Sequence, residues 1–174
     1  MAITMTVKKG GGSSFAPGWH KVTTRKASYG SLDNGAKFID VWFNEFPSDN
    51  FNMRMYAKTS KDGEEFAIAN LFRHANAGIL EVVDKDSGGD CVVKIDDAAT
   101  NMIDKTFNIF LYKNDDGYYR VLAKIAPDEY EGKLDTIKEN DVEYWKGKAE
   151  DYYKTWVLPN LASKVAEKTD DVPF

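Results

Sequence analysis

Between residues 51 and 58 apolar and polar side chains alternate without interruption, Phe51, Met53, Met55 and Ala57 against Asn52, Arg54, Tyr56 and Lys58. Side chains on a strand take opposite faces in turn, so this run predicts a strand with one face in a core and the other in water. Two β-branched and aromatic runs precede it, "WHKVTTRKASYG" at 19–30 and "AKFIDVWFNE" at 36–45, separated by the hairpin-turn dipeptide Asn34-Gly35. The three runs predict a meander. The pattern then changes period: "GEEFAIANLFRHANAG" places two glutamates ahead of Phe66, Ile68, Ala69, Phe72 and Ala75, and predicts one helix over 64–77 with Gly78 as its cap.

Strand candidates follow at 79–84, 91–95, 106–113 and 118–126, the last two joined by the turn "NDDG". From Asn140 the period is helical again, with Glu143 three residues on in a capping-box pattern and Val142, Trp145, Ala149, Tyr152 or Tyr153, and Trp156 as the apolar stripe. Pro159 is expected to kink or end that helix. Three strands, a helix, two or more strands and an added helix predict a mainly β, α+β chain. Its expected fold is OB-like, a five-stranded barrel with one helix between the third and fourth strands and an extra C-terminal helix. Other small β-rich folds can be written in the same order. The expected divisions are a Gly/Ser-rich arm at 1–14, the barrel domain at 15–139, the packed helix at 140–166 and an acidic tail at 167–174.

Charge modifies this picture through its distribution. The formal net charge is -5, but residues 1–60 hold eight basic and four acidic side chains, and nothing acidic precedes Asp33. Residues 61–126 hold eight basic against twelve acidic, and 127–174 seven against twelve. A basic front and an acidic end fit a binding face for a polyanion, although a patchy solvated surface gives the same census. The 174 residues are 43% apolar, enough for one good core. No apolar run approaches the roughly 18 residues that span a bilayer, and "MAITMTVKKGGGSSF" lacks the apolar core of a secretory signal. A soluble, cytoplasmic protein with no membrane partner is the expectation. One cysteine, Cys91, and two histidines, His20 and His74, offer no disulfide and no zinc-type spacing, so no metal or other cofactor is expected.

Chemistry is sought on the polar faces. In the 51–58 run, cation, aromatic and cation succeed one another at Arg54, Tyr56 and Lys58, a mixture suited to single-stranded nucleic acid: cations meet phosphates while rings stack on bases. Trp19, Lys21, Thr23 and Arg25 share a face of the first strand. Phe38, Asp40 and Trp42 oppose Ile39, Val41 and Phe43 in the second, and Tyr112, Lys113, Tyr118, Tyr119 and Arg120 gather at the last hairpin. Stacking candidates are Trp19, Trp42, Tyr56 and Tyr112; phosphate candidates are Lys21, Arg25, Arg54, Lys58 and Arg120. Each ring taken alone is as well explained by a core, and each cation by an edge kept soluble. Two aromatic faces cannot both be core in a small barrel, so one meets a ligand or the C-terminal helix covers it. No nucleophile elbow, P-loop, dinucleotide fingerprint or zinc-protease motif occurs, and catalysis is not expected. The pairs Asp96-Asp97 and Asp115-Asp116 read as turn residues, His74 as a helix-surface or core histidine, and Cys91 as buried.

The last residues, "DDVPF", carry the most specific pattern. They resemble the acidic C-terminal tip of bacterial single-stranded DNA-binding proteins, in which an OB-fold core precedes a tail ending in aspartates, an aliphatic residue, proline and phenylalanine. The stretches "GWHKVTTRKASYG", "AKFIDVWFNE", "NFNMRMYAK" and "EFAIANLFRHANAG" resemble, more loosely, the bacteriophage-encoded members. The resemblance implies binding of single-stranded DNA without strong sequence preference during replication, recombination and repair. It further implies recruitment of partner proteins by Asp170, Asp171, Val172, Pro173 and Phe174. The chain departs from the bacterial pattern in lacking a long Gly/Gln/Pro-rich linker and in its added helix, so oligomeric state is not carried over. An RNA- or duplex-binding OB module and a phage structural or assembly protein are the competing expectations.

Overall fold

A computed structural model describes residues 2–5, 15–84, 91–128 and 137–161. Seven strands are laid down in chain order: β1 (Gly18–Ser31), β2 (Lys37–Phe43), β3 (Met53–Tyr56), β4 (Ile79–Asp84), β5 (Cys91–Ile95), β6 (Thr106–Lys113) and β7 (Tyr119–Val121). Five of them form one antiparallel sheet in the order β3-β2-β1-β6-β7, curled into a nearly closed OB-like barrel. The helix α1 (Ala67–Ala75) lies between the third and fourth barrel strands, as the element order requires. The hairpin β4-β5 is inserted after α1 and makes a separate two-stranded sheet.

The inward face of each barrel strand is the apolar set of its alternation. Val22, Ile39, Val41, Phe43, Met53, Met55, Phe107, Ile109 and Leu111 are buried there, and α1 adds Ile68, Leu71 and Phe72. Phe15 closes one end, its ring 5.0 Å from those of both Phe46 and Phe51 and 5.5 Å from that of Tyr119. Both predicted hairpin turns form. Gly35 and Gly117 each take positive φ, 88° and 86°, where a side chain would be strained.

Two irregularities in the ladders position everything that follows. In β1 the register to β2 slips between Thr24 and Lys26, so Arg25 is the extra residue of a β-bulge. Upstream of it Trp19, Lys21 and Thr23 point outward beside β6; downstream Lys26, Ser28 and Gly30 take the outward side beside β2. In the last strand the predicted run 118–126 is broken: β7 ends at Val121, and Ala126 rejoins β6 opposite Asn108. Residues 122–125 thus lie opposite only two residues of β6, and no ladder joins β7 to β3. That seam is the barrel's one opening among the described residues.

The predicted helix 64–77 is shorter, because residue 65 first bridges Thr59. Glu65 then turns its carboxylate onto the helix start, accepting hydrogen bonds from the amides of Lys58, Ala67, Ile68 and Ala69 at 2.8–3.0 Å. The left-handed cap is Asn76 (φ 54°) rather than Gly78. Gly78 is needed for a different reason, since a Cβ there would collide with the carbonyl oxygen of Asp96.

The C-terminal helix α2 (Asp141–Tyr152) begins near the predicted place, but Asn140 makes no side-chain cap bond; Asp141 accepts the Lys138 amide at 2.8 Å instead. Pro159 does not end the helix. A π turn at Tyr153–Val157 precedes it, with the Leu158 amide bonded to the Tyr153 carbonyl, and the helix continues to residue 161. The wider turn absorbs the hydrogen bond that proline cannot donate. It also rotates Trp156 out of the apolar stripe, leaving it 63% exposed, whereas Ala149 is fully buried. No described helix is long and apolar enough to cross a membrane. Residues 162–166 of the predicted helix, most of the arm at 1–14 and the tail at 167–174 lie outside the described residues.

Candidate nucleic-acid interface

The outward face of β2 and β3, completed by the downstream half of β1, is a small grid set by register. Lys26 stands opposite Trp42; Ser28, Asp40 and Arg54 form the next row; Gly30, Phe38 and Tyr56 form the third. Gly30 is glycine because the outer end of the Phe38 ring lies over it: a Cβ there would sit 2.6 Å from the ring's Cζ. The Arg54 guanidinium lies over that ring at 3.7 Å, and its Nε and Nη2 donate to the two oxygens of Asp40 at 2.8 and 2.9 Å. Asp40 holds the guanidinium proton more firmly than water would, raising the arginine's pKa further. The result is a planar cation clamped in place, with most of its charge answered by the clamp.

Trp42 is fixed at its edge, its indole N–H donating to the Asp49 carbonyl at 2.9 Å, while Lys26 Nζ stands 4.7 Å from the ring centre. Tyr56 is 39% exposed and meets Phe38 edge-on at 5.8 Å. One surface therefore presents an indole, a guanidinium plane and a phenol ring in succession. Planar groups in such a row stack on successive bases regardless of sequence.

Of the nine predicted nucleic-acid contacts, this face gathers Trp42, Arg54 and Tyr56, with Lys58 just beyond the end of β3. Arg25 lies beside it at the bulge and reaches Asp49 and the Pro47 carbonyl, bracing the loop that also holds Trp42. The other four are elsewhere. Trp19 donates its indole N–H to Glu150 of α2 at 2.9 Å and packs edge-on against Phe110. Tyr112 packs against Tyr153 at 5.6 Å, and burial raises the pKa of its phenol. Lys21 pairs with Asp128 at 3.5 Å and Arg120 with Asp116 at 3.5 Å. The question of two aromatic faces is thus answered: α2 covers the one on β1 and β6.

Phe38 and Lys26 are absent from the nine, although both belong to the grid. Alternation alone groups Phe38 with Trp42; Lys26 needs the bulge, which no local residue preference announces. The remaining candidates are placed simply. Asp96 and Asp116 accept amides two residues ahead, as turn aspartates do. His74 is buried, its ring 4.8 Å from that of Trp145. Cys91, expected to be buried, is exposed, because β5 belongs to the hairpin outside the barrel. Among the described residues no cluster of three or more His, Cys, Asp or Glu could hold a metal. No protein-family model matches this chain, and no curated protein does either.

Proposed function

We propose that this chain is a non-enzymatic single-stranded DNA-binding protein that coats strands without strong sequence preference, laying them across the β2–β3 face. The observation that carries the reading is the row Trp42, Arg54, Tyr56 on the outside of an OB-like barrel, with Lys26 and Lys58 at its ends. The "DDVPF" segment supports the same reading by its resemblance to the recruiting tip of such proteins, and by that resemblance it serves replication, recombination and repair partners in a cell or phage-infected host. Titrating oligothymidylate into the protein at low salt tests this. Binding with quenching of Trp42 fluorescence is expected, and unchanged fluorescence and mobility would refute the proposal.

A further inference from the structure

The seam between β3 and β7 opens into a cavity of about 370 Å³, within the range of small-molecule sites. Met55, Leu71 and Ile125 give it an apolar lining, completed from α2 by Trp145, Ala149 and Tyr152. Three of its lining residues are lysines, Lys58, Lys124 and Lys148, and none is acidic. No ion pair reaches any of these lysines among the described residues. Lys124 and Lys148 stand over the rings of Tyr152 and Tyr144, at 5.2 and 5.6 Å. An apolar slot ringed by such cations suits a ligand that is planar and apolar in one part and anionic in another. Burial and the neighbouring charge of Lys58 both lower the pKa of Lys124, and a bound anion would relieve that cost.

Tyr56 lines the cavity and also closes the row on the β2–β3 face. A strand stacked over Trp42, Arg54 and Tyr56 arrives at this mouth. We infer that the cavity at the β3–β7 seam takes one unstacked base of the bound strand, with the adjoining phosphate held by Lys58, Lys124 and Lys148. The inference rests on the proposed single-strand interface and adds to it a capture site outside the row of stacked bases.

Two tryptophans separate the claims, because Trp42 reports on the face and Trp145 on the cavity. Wild-type, Trp42→Phe and Trp145→Phe proteins are titrated with an oligothymidylate of roughly 16 nucleotides, the upper end of a single OB-fold site. Each substitution is expected to remove part of the quenching, and Lys124→Ala to lower the log-log salt slope by about 0.7. Ultraviolet cross-linking of the unaltered chain, mapped by mass spectrometry, gives the same answer if Trp145→Phe fails to fold: adducts are expected at Phe66, Trp145 or Tyr152 as well as on the face. Quenching and adducts confined to Trp42 and Tyr56 would overturn the capture site and leave the face standing. Quenching of Trp145 by a TDDVPF peptide but not by the oligonucleotide would make the cavity a protein-segment site and overturn it too. No binding at all would remove both claims.

Discussion

Arg54 lies 3.7 Å above the ring of Phe38 while both oxygens of Asp40 hold its edge. In the proposed interface this makes Arg54 less a phosphate contact, as charge alone suggests, than a flat stacking surface. Replacing Asp40 by asparagine removes the opposing charge and keeps one acceptor of the two that hold the plane. Asp40→Asn is expected to tighten binding of single-stranded DNA and to steepen the log-log salt slope by about 0.7. An unchanged slope would mean that Arg54 already exchanges Asp40 for a phosphate on binding. Lys26→Ala, by contrast, is expected to flatten the slope by a similar amount.

Gly30→Ala places a methyl group against the Phe38 ring and forces it off the position that supports Arg54. A cost of about 1–3 kcal/mol in urea unfolding is expected, with weaker binding. Combining it with Phe38→Ala should give a strongly non-additive cycle, because the second substitution removes the clash. Additivity would show that the ring is not what the glycine accommodates.

Trp19 was a stacking candidate by sequence, and in the fold its indole is spent on Glu150. Trp19→Phe and Glu150→Gln are each expected to cost about 1–2 kcal/mol of stability. Amide exchange over 141–161 should accelerate while affinity for single-stranded DNA holds. A large loss of affinity with unchanged exchange would return Trp19 to the interface.

Tyr29 donates its hydroxyl to the Asp97 carbonyl, and burial, with Asp97 and Glu65 nearby, pushes its pKa up to about 12 from 10.0. The folded form thus holds a proton that the unfolded form releases between those values. Its contribution to stability is complete below pH 10 and lost as pH rises through about 12. Urea unfolding of wild-type and Tyr29→Phe proteins between pH 9.5 and 12 should converge at the alkaline end, and parallel curves would contradict the assignment.

The barrel was legible in the sequence because its cause is local. Phe51 to Lys58 alternate in composition and in burial alike, and the two Gly-containing turns fix their hairpins. The candidate site was half legible for the same reason: Trp42, Arg54 and Tyr56 follow from alternation. What escaped depends on pairs distant in sequence. Trp19 and Glu150 are 131 residues apart, and nothing around Trp19 says that a helix will cover it. The lysines of the seam, Lys58, Lys124 and Lys148, come from three distant parts of the chain and meet only where β7 parts from its ladder. The π turn ahead of Pro159 also escaped, since proline announces a missing amide but not how the helix will absorb it.

The bulge at Arg25 gives one strand two clients. Its first half serves the helix and its second half serves the open face, and a single inserted residue sets the phase between them. Removing that residue would turn one half inside out, sending either Trp19 and Lys21 or Lys26 and Ser28 into the barrel. The face is thus specified by a count of residues as well as by their identities, and a one-residue deletion there would do more damage than any single substitution on its surface.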